Sequence, residues 1–125
     1  MLAGLRAEGE PLGCMAATSY AFRMRLERIS WTGGKPPKQD EARRRLEAEG
    51  YEVVCWNDPP GRTYTPHAHE RDECLWMLAG SMTFTITIDG TEYRLDAGDR
   101  LMLPRGVVHA AEAHATGARY LIGER

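Results

Sequence analysis

The segment "SMTFTITIDGTEYRL", Ser81 to Leu95, decides the fold class. Met82, Phe84, Ile86 and Ile88 alternate with Thr83, Thr85 and Thr87, and a period of two puts apolar and polar side chains on opposite faces of a strand. Asp89-Gly90 suits a tight hairpin, which needs positive φ, and "TEYRL" then reads as the returning strand. Working outward, similar short runs predict strands over 51–57, 63–68, 73–79, 81–89, 91–95, 99–103, 107–113 and 118–123, separated by turn residues. Eight such strands in so short a span predict an all-β domain, a small antiparallel barrel or jelly roll.

Upstream the pattern changes. "GGKPPK", Gly33 to Lys38, excludes both helix and central strand and reads as a linker. A short helix is expected next, with Asp40 as N-cap, charge pairs at i,i+4 through Arg43, Arg45, Glu47 and Glu49, and Gly50 as its left-handed stop. Its apolar side is only Ala42, Leu46 and Ala48, which suits a surface cover. Residues 1 to about 24 have no clear period and read as a loose lead-in, with Met15 and Met24 as alternative starts. The expected organisation is an N-terminal extension and linker over 1–38, partly disordered, and a barrel domain over 39–125 with its core at about 51–122.

The chain has 125 residues, 42% of them hydrophobic, enough for one core. A net charge of -2 supplies no broad basic field for nucleic acid or anionic lipid. Arg43-Arg44-Arg45 is flanked by Glu41, Glu47 and Glu49 and reads as a solvated helix face. No apolar run approaches the roughly 18 residues of a membrane span. Cys14, Cys55 and Cys74 form neither an even set nor a CxxC pair, so reduced thiols in a cytoplasmic protein are expected.

Chemistry concentrates in "GRTYTPHAHERDECLWMLAG", Gly61 to Gly80. His67 and His69, at i and i+2, share one face of an extended strand and can meet one ion. "ERD" reads as a turn that brings Glu73 back toward them, and His109, after "PRG", can add a further nitrogen. The spacing itself carries more. Gly61-x5-His67-x-His69-x3-Glu73-x6-Gly80 and Gly98-x5-Pro104-x-Gly106-x2-His109 resemble in full the first and most of the second conserved motif of the cupin superfamily. Ala113 stands where that family's second motif usually ends in Asn, a position that is not a ligand.

The resemblance implies a cupin double-stranded β-helix, or jelly-roll barrel, with His67, His69, Glu73 and His109 as ligands of one divalent transition metal. Three imidazoles and a carboxylate suit Mn, Fe, Co, Ni, Cu or Zn without choosing among them. It also implies a metal-dependent enzyme on a small polar substrate, of dioxygenase, decarboxylase or isomerase type, and favours a homodimer. A non-catalytic module binding a sugar or acid through the same ion stays open. As acid or base groups beyond the ligands, Tyr64, Arg100 and Arg105 are the nearest candidates.

The alternation assigns the other side chains. Leu75, Met77 and Ala79 should share the inward face of Glu73, and Val107, Ala111 and Ala113 that of His109. Cys74, Trp76 and Leu78 should lie outside and need a cover, supplied by the N-terminal segment, the helix or a second subunit. Trp56 and Tyr64 are read as core before pocket wall, His114 as a surface residue, Glu70 and Asp72 as solvated, and Cys74 as a structural thiol.

Overall fold

The computed structural model describes residues 23–125. The loose lead-in up to residue 22 and the start at Met15 lie outside the described residues. The elements run β1 (Glu27–Ile29), α1 (Gln39–Ala48), β2 (Glu52–Asp58), β3 (Thr63–His67), β4 (Glu73–Ile86), β5 (Glu92–Asp96), β6 (Arg100–Leu103) and β7 (His109–Glu124). The seven strands form one antiparallel sheet in the order β1-β6-β4-β7-β2, with β3 added to β7 and β5 to β4. This is the expected all-β barrel. Among the described residues, no helix is long and apolar enough to cross a membrane.

The strand count differs from the sequence reading because two expected breaks are bulges. Residues 73–79 and 81–86 are one strand, β4, and 109–113 and 118–123 are parts of β7. Their pairing shifts register between Met77 and Ala79 and again between Gly80 and Met82. Gly80 and Gly117 make this possible at φ 74° and 75°, and a Cβ on Gly80 would lie 2.0 Å from the Gly117 carbonyl oxygen. A bulge changes which alternate positions face inward. Thus Leu75 and Met77 precede the shift and Met82, Phe84 and Ile86 follow it, all in one inner core.

The 89–90 hairpin is wider than expected. β4 ends at Ile86, whose N–H donates to Thr91 O (2.8 Å) while its carbonyl accepts from Gly90 N–H (2.8 Å). Ile88 therefore leaves the apolar face and is 92% exposed in the loop.

A second core lies on the other face of the sheet. Cys74, Trp76, Leu78 and Leu121 pack there against Tyr51 and against Ala42 and Leu46 of α1, with Trp31 at the margin. The helix is thus a cover with two fully buried side chains, and burying one Leu contributes about 1.5–3 kcal/mol; Ala48 stays exposed. Its N-cap is Lys38 without a side-chain bond, not Asp40, which lies in the first turn with Glu41, where the helix dipole favours negative charge. Of the expected charge pairs Arg43–Glu47 stands at 3.9 Å, whereas Glu49 turns to Arg100 at 3.1 Å and Arg45 lies 5.5 Å from the Trp76 ring centre. The N-terminal stretch read as extension and linker contributes β1, paired with β6, and Trp31, whose ring centre is 6.4 Å from that of Trp76. Three residues without clear alternation left β1 invisible in the sequence.

Candidate metal centre

Three of the four predicted ligands sit at strand ends and the fourth in a loop. His67 closes β3, Glu73 opens β4 and His109 opens β7, where it pairs in register with both His67 and Ile86. His69 lies two residues beyond β3, not on an unbroken strand. Its carbonyl accepts from Gly106 N–H (2.9 Å), and Asp72 and Arg125 exchange both backbone hydrogen bonds (3.1 Å each) at the end of that loop. The turn expected from "ERD" is therefore present and returns the chain to the imidazoles.

The rings of His67, His69 and His109 have centres 4.9, 4.5 and 5.2 Å apart, and one ligand atom of each lies within 4.8 Å of the others. His67 Nδ1 lies 2.7 Å from Thr65 O and His109 Nδ1 2.9 Å from Val107 O. A carbonyl only accepts, so in the neutral ring each Nδ1 carries the hydrogen and each Nε2 is left with the lone pair, the form in which imidazole binds a metal. Burial, followed by the neighbouring His67, holds His69 below the ordinary histidine range. Burial does the same at His109 against the opposing effect of the Val107 carbonyl. Neutral rings are the ligating form, so the donor set fits a first-row divalent ion.

Glu73 meets this group through His69, its Oε2 lying 3.4 Å from Nδ1. Burial, then the hydrogen bond and charge of Glu124, push its carboxyl up to about 8. His69, Glu73 and Glu124 form a second set with ligand atoms within 4.8 Å. Glu124 was missed in the sequence, where it belongs to neither motif; only the register that sets it opposite Glu73 and Glu52 reveals it.

The histidines open on a cavity of about 370 Å³. Leu75, Met82, Phe84, Ala111 and Ile122 form its floor and walls, together with Tyr120, Trp56 and Tyr64. Trp56 is thus a pocket wall rather than core, at 44% exposed, whereas Tyr64 lines the pocket and also packs against the inner core. They converge on Asp58, missed because "NDPPG" reads as a plain turn. Its carboxylate, 5% exposed, accepts from Tyr64 OH (2.5 Å), Tyr120 OH (2.7 Å) and Trp56 Nε1–H (3.2 Å). Burial and the Asp58 bonds raise both phenols above the ordinary tyrosine range.

The remaining candidates lie elsewhere. Arg100 stacks 3.9 Å from the Trp76 ring centre on the outer face, and Arg105 pairs with Asp72 (3.4 Å); neither lines the cavity. Asp72 accepts from Arg105 N–H (2.8 Å) instead of standing free in solvent, while Glu70 is exposed as expected. Ala113 is buried in the inner core, with Val107 packed against it and Ala79 half-buried beside the bulge. His114 faces outward but not into solvent: Nδ1 and Nε2 lie 2.7 Å from Ser81 Oγ and Thr83 Oγ1, because β7 continues alongside β4 past Ala113. Burial pushes the Cys74 thiol up to about 11, which keeps it protonated beneath α1.

The family model described as "Cupin domain" matches residues 54–122. No curated protein matches the sequence. Among solved structures, the chain is similar to the polyketide cyclase RemF from Streptomyces resistomycificus (TM-score 0.54, 23% identity, 59% of this chain and 53% of that one). It is similar also to a DUF861 family protein from Thermotoga maritima (TM-score 0.54, 17% identity, 81% and 100%). A third similarity is to oxalate decarboxylase of Bacillus subtilis (TM-score 0.51, 28% identity, 58% and 20%), a protein with Mn(II) centres. The chain thus spans about half of the cyclase and a fifth of the decarboxylase.

Proposed function

The chain belongs to the cupin family, and from that premise we propose that it is a metal-dependent enzyme acting on a small molecule held in the barrel cavity. His67, His69, His109 and Glu73 are the proposed ligands of one divalent ion, Mn, Fe, Co, Ni, Cu or Zn. The observation that carries this reading is the convergence of three imidazoles, two with Nε2 left free by Nδ1 bonds to backbone carbonyls, on a cavity large enough for a ligand. When bound, the ion supplies Lewis acidity and, if redox-active, a route for electrons. The protein's own residues would position it and exclude water: Leu75, Phe84 and Ile122 shield one side, and Glu124 lies beside Glu73, whose carboxyl it helps to hold high after burial.

Dioxygenase, decarboxylase and isomerase chemistries remain the enzyme classes of this reading. A non-catalytic sugar- or acid-binding module is the second reading, favoured by one observation: the proton of Tyr64, the one predicted acid or base group that lines the cavity, is committed to Asp58. A cytoplasmic setting is part of the proposal, on the odd cysteine count and the lack of a CxxC pair in the sequence. The homodimer is also part of the proposal, though its sequence argument weakens because α1 and Trp31 already cover Trp76 and Leu78. Among the exposed apolar side chains, Val54 and Trp56 on β2, at the end of the sheet, are the surface proposed for a partner.

The test of an open site uses cobalt as a coloured reporter. Four protein ligands leave positions free on a six-coordinate ion, so azide added to the Co(II)-loaded protein is expected to shift its visible bands. A spectrum indifferent to saturating azide would mean a closed structural site and contradict both readings.

A further inference from the structure

We propose that the cavity wall away from the histidines selects a neutral, mostly apolar body bearing a hydroxyl or similar hydrogen-bond donor, and discriminates against a carboxylate or phosphate placed there. This narrows the small-molecule reading at one wall and rests on the reading of the cavity as the ligand site of the metal centre.

The first ground is charge. The ionisable side chains of the lining, apart from the histidines and phenols, are Glu52, Glu73 and Glu124, and no Lys or Arg reaches it among the described residues. Two arginines in contact with lining residues are engaged by them: Arg71 bonds Glu52 (2.8 Å) and lies 3.9 Å from Glu124, and Arg62 stacks 4.7 Å from the Tyr64 ring centre. An anion moved from water into an apolar cavity needs a paired cation or several donors. Away from the histidines, this wall offers neither.

The second ground is the direction of the hydrogen bonds. A carboxylate such as Asp58 is acceptor-only, so the phenolic hydrogens of Tyr64 and Tyr120 point at it. The Trp56 N–H is shared between Asp58 Oδ1 (3.2 Å) and Tyr64 OH (3.1 Å). With their hydrogens directed away, the two phenol oxygens have only lone pairs to present to a ligand, and a lone pair requires a donor opposite it. Over the rest of its surface the ligand meets hydrocarbon and the Trp56 ring, whose flat face suits an aromatic or similarly flat molecule.

Three probes on one 4-ethylphenyl frame separate these grounds: 4-ethylphenol, its methyl ether and 4-ethylbenzoate. Each is titrated into metal-free protein and into Zn(II)-loaded protein by calorimetry, with zinc content measured on the same preparations. Zinc content reports on the metal reading independently of any probe. In the metal-free protein the phenol is expected to bind about tenfold more tightly than the ether, the worth of one neutral hydrogen bond, and more tightly still than the benzoate. Tyr64→Phe and Asp58→Asn should each narrow the preference for phenol over ether, the second because an amide can turn a phenolic hydrogen toward the cavity. Benzoate binding as tightly as the phenol without metal, or phenol and ether binding alike in the wild type, would overturn the proposal even if both variants failed to fold. Failure to take up zinc while the phenol preference holds would instead remove the metal reading and leave the selectivity standing.

Discussion

The His69→Ala protein is expected to keep its barrel and to bind divalent metal more weakly than wild type by at least about a hundredfold. Disturbing a hydrogen-bond partner behind a ligand already costs 10–100-fold in affinity, roughly speaking, and loss of the ligand itself should exceed that. The fold should survive because His69 stands in a loop beyond β3 with its side chain 34% exposed, so its truncation opens no cavity in either core. The remaining imidazoles keep their orientation through Thr65 O and Val107 O. Metal content after dialysis, read beside circular dichroism of the metal-free proteins, checks both halves. Full retention of metal would remove His69 from the ligand set, and unfolding would show that it acts in the fold instead.

Trp76→Ala should lower the stability of the chain by about 3–5 kcal/mol, the usual cost of truncating a buried aromatic. Trp76 is 1% exposed, donates its indole N–H to Gly98 O (2.9 Å), and lies between the Arg100 guanidinium and the Trp31 ring. Ala42 and Leu46 close over the same cluster. Its removal therefore opens a cavity, orphans the Gly98 carbonyl and loosens the seat of α1 together. Metal binding should change little, because Glu73 lies on the opposite face of the same strand. Urea unfolding and metal titration of the variant measure the two effects. A loss under about 1 kcal/mol would mean that α1 and Trp31 are not held by this side chain.

How much of this was legible in the chain depends on what kind of signal each residue left. Alternation sorted Leu75 and Met77 from Cys74, Trp76 and Leu78 correctly, because side-chain direction along a strand is a local property. Alternation did not show that Gly80 and Gly117 let the strand continue through a bulge, since a glycine signals a turn and a bulge alike. Nor did it keep Ile88 on its face, because the Gly90 N–H bond to Ile86 O ends the ladder first. The histidines were legible through their spacing and are brought together as expected.

Glu124 and Asp58 were not legible, for a common reason. Each owes its role to partners far along the chain: Asp58 to Tyr120, and Glu124 to Glu73, which β7 brings opposite it. Arg100 and Arg105 illustrate the converse, since nearness in sequence to the second motif says nothing about which face a strand or turn presents. A guanidinium also finds competing partners readily: Arg100 took Glu49 and Trp76, and Arg105 took Asp72.

The central claim, one divalent ion on His67, His69, His109 and Glu73, is tested most directly by the metal content of the untagged protein purified without chelator, beside the His67→Ala/His109→Ala double variant. The account predicts about one equivalent of a first-row transition metal in the wild type and almost none in the variant. Wild-type protein that stays metal-free even after reconstitution, or a double variant that holds as much metal as the wild type, would contradict it.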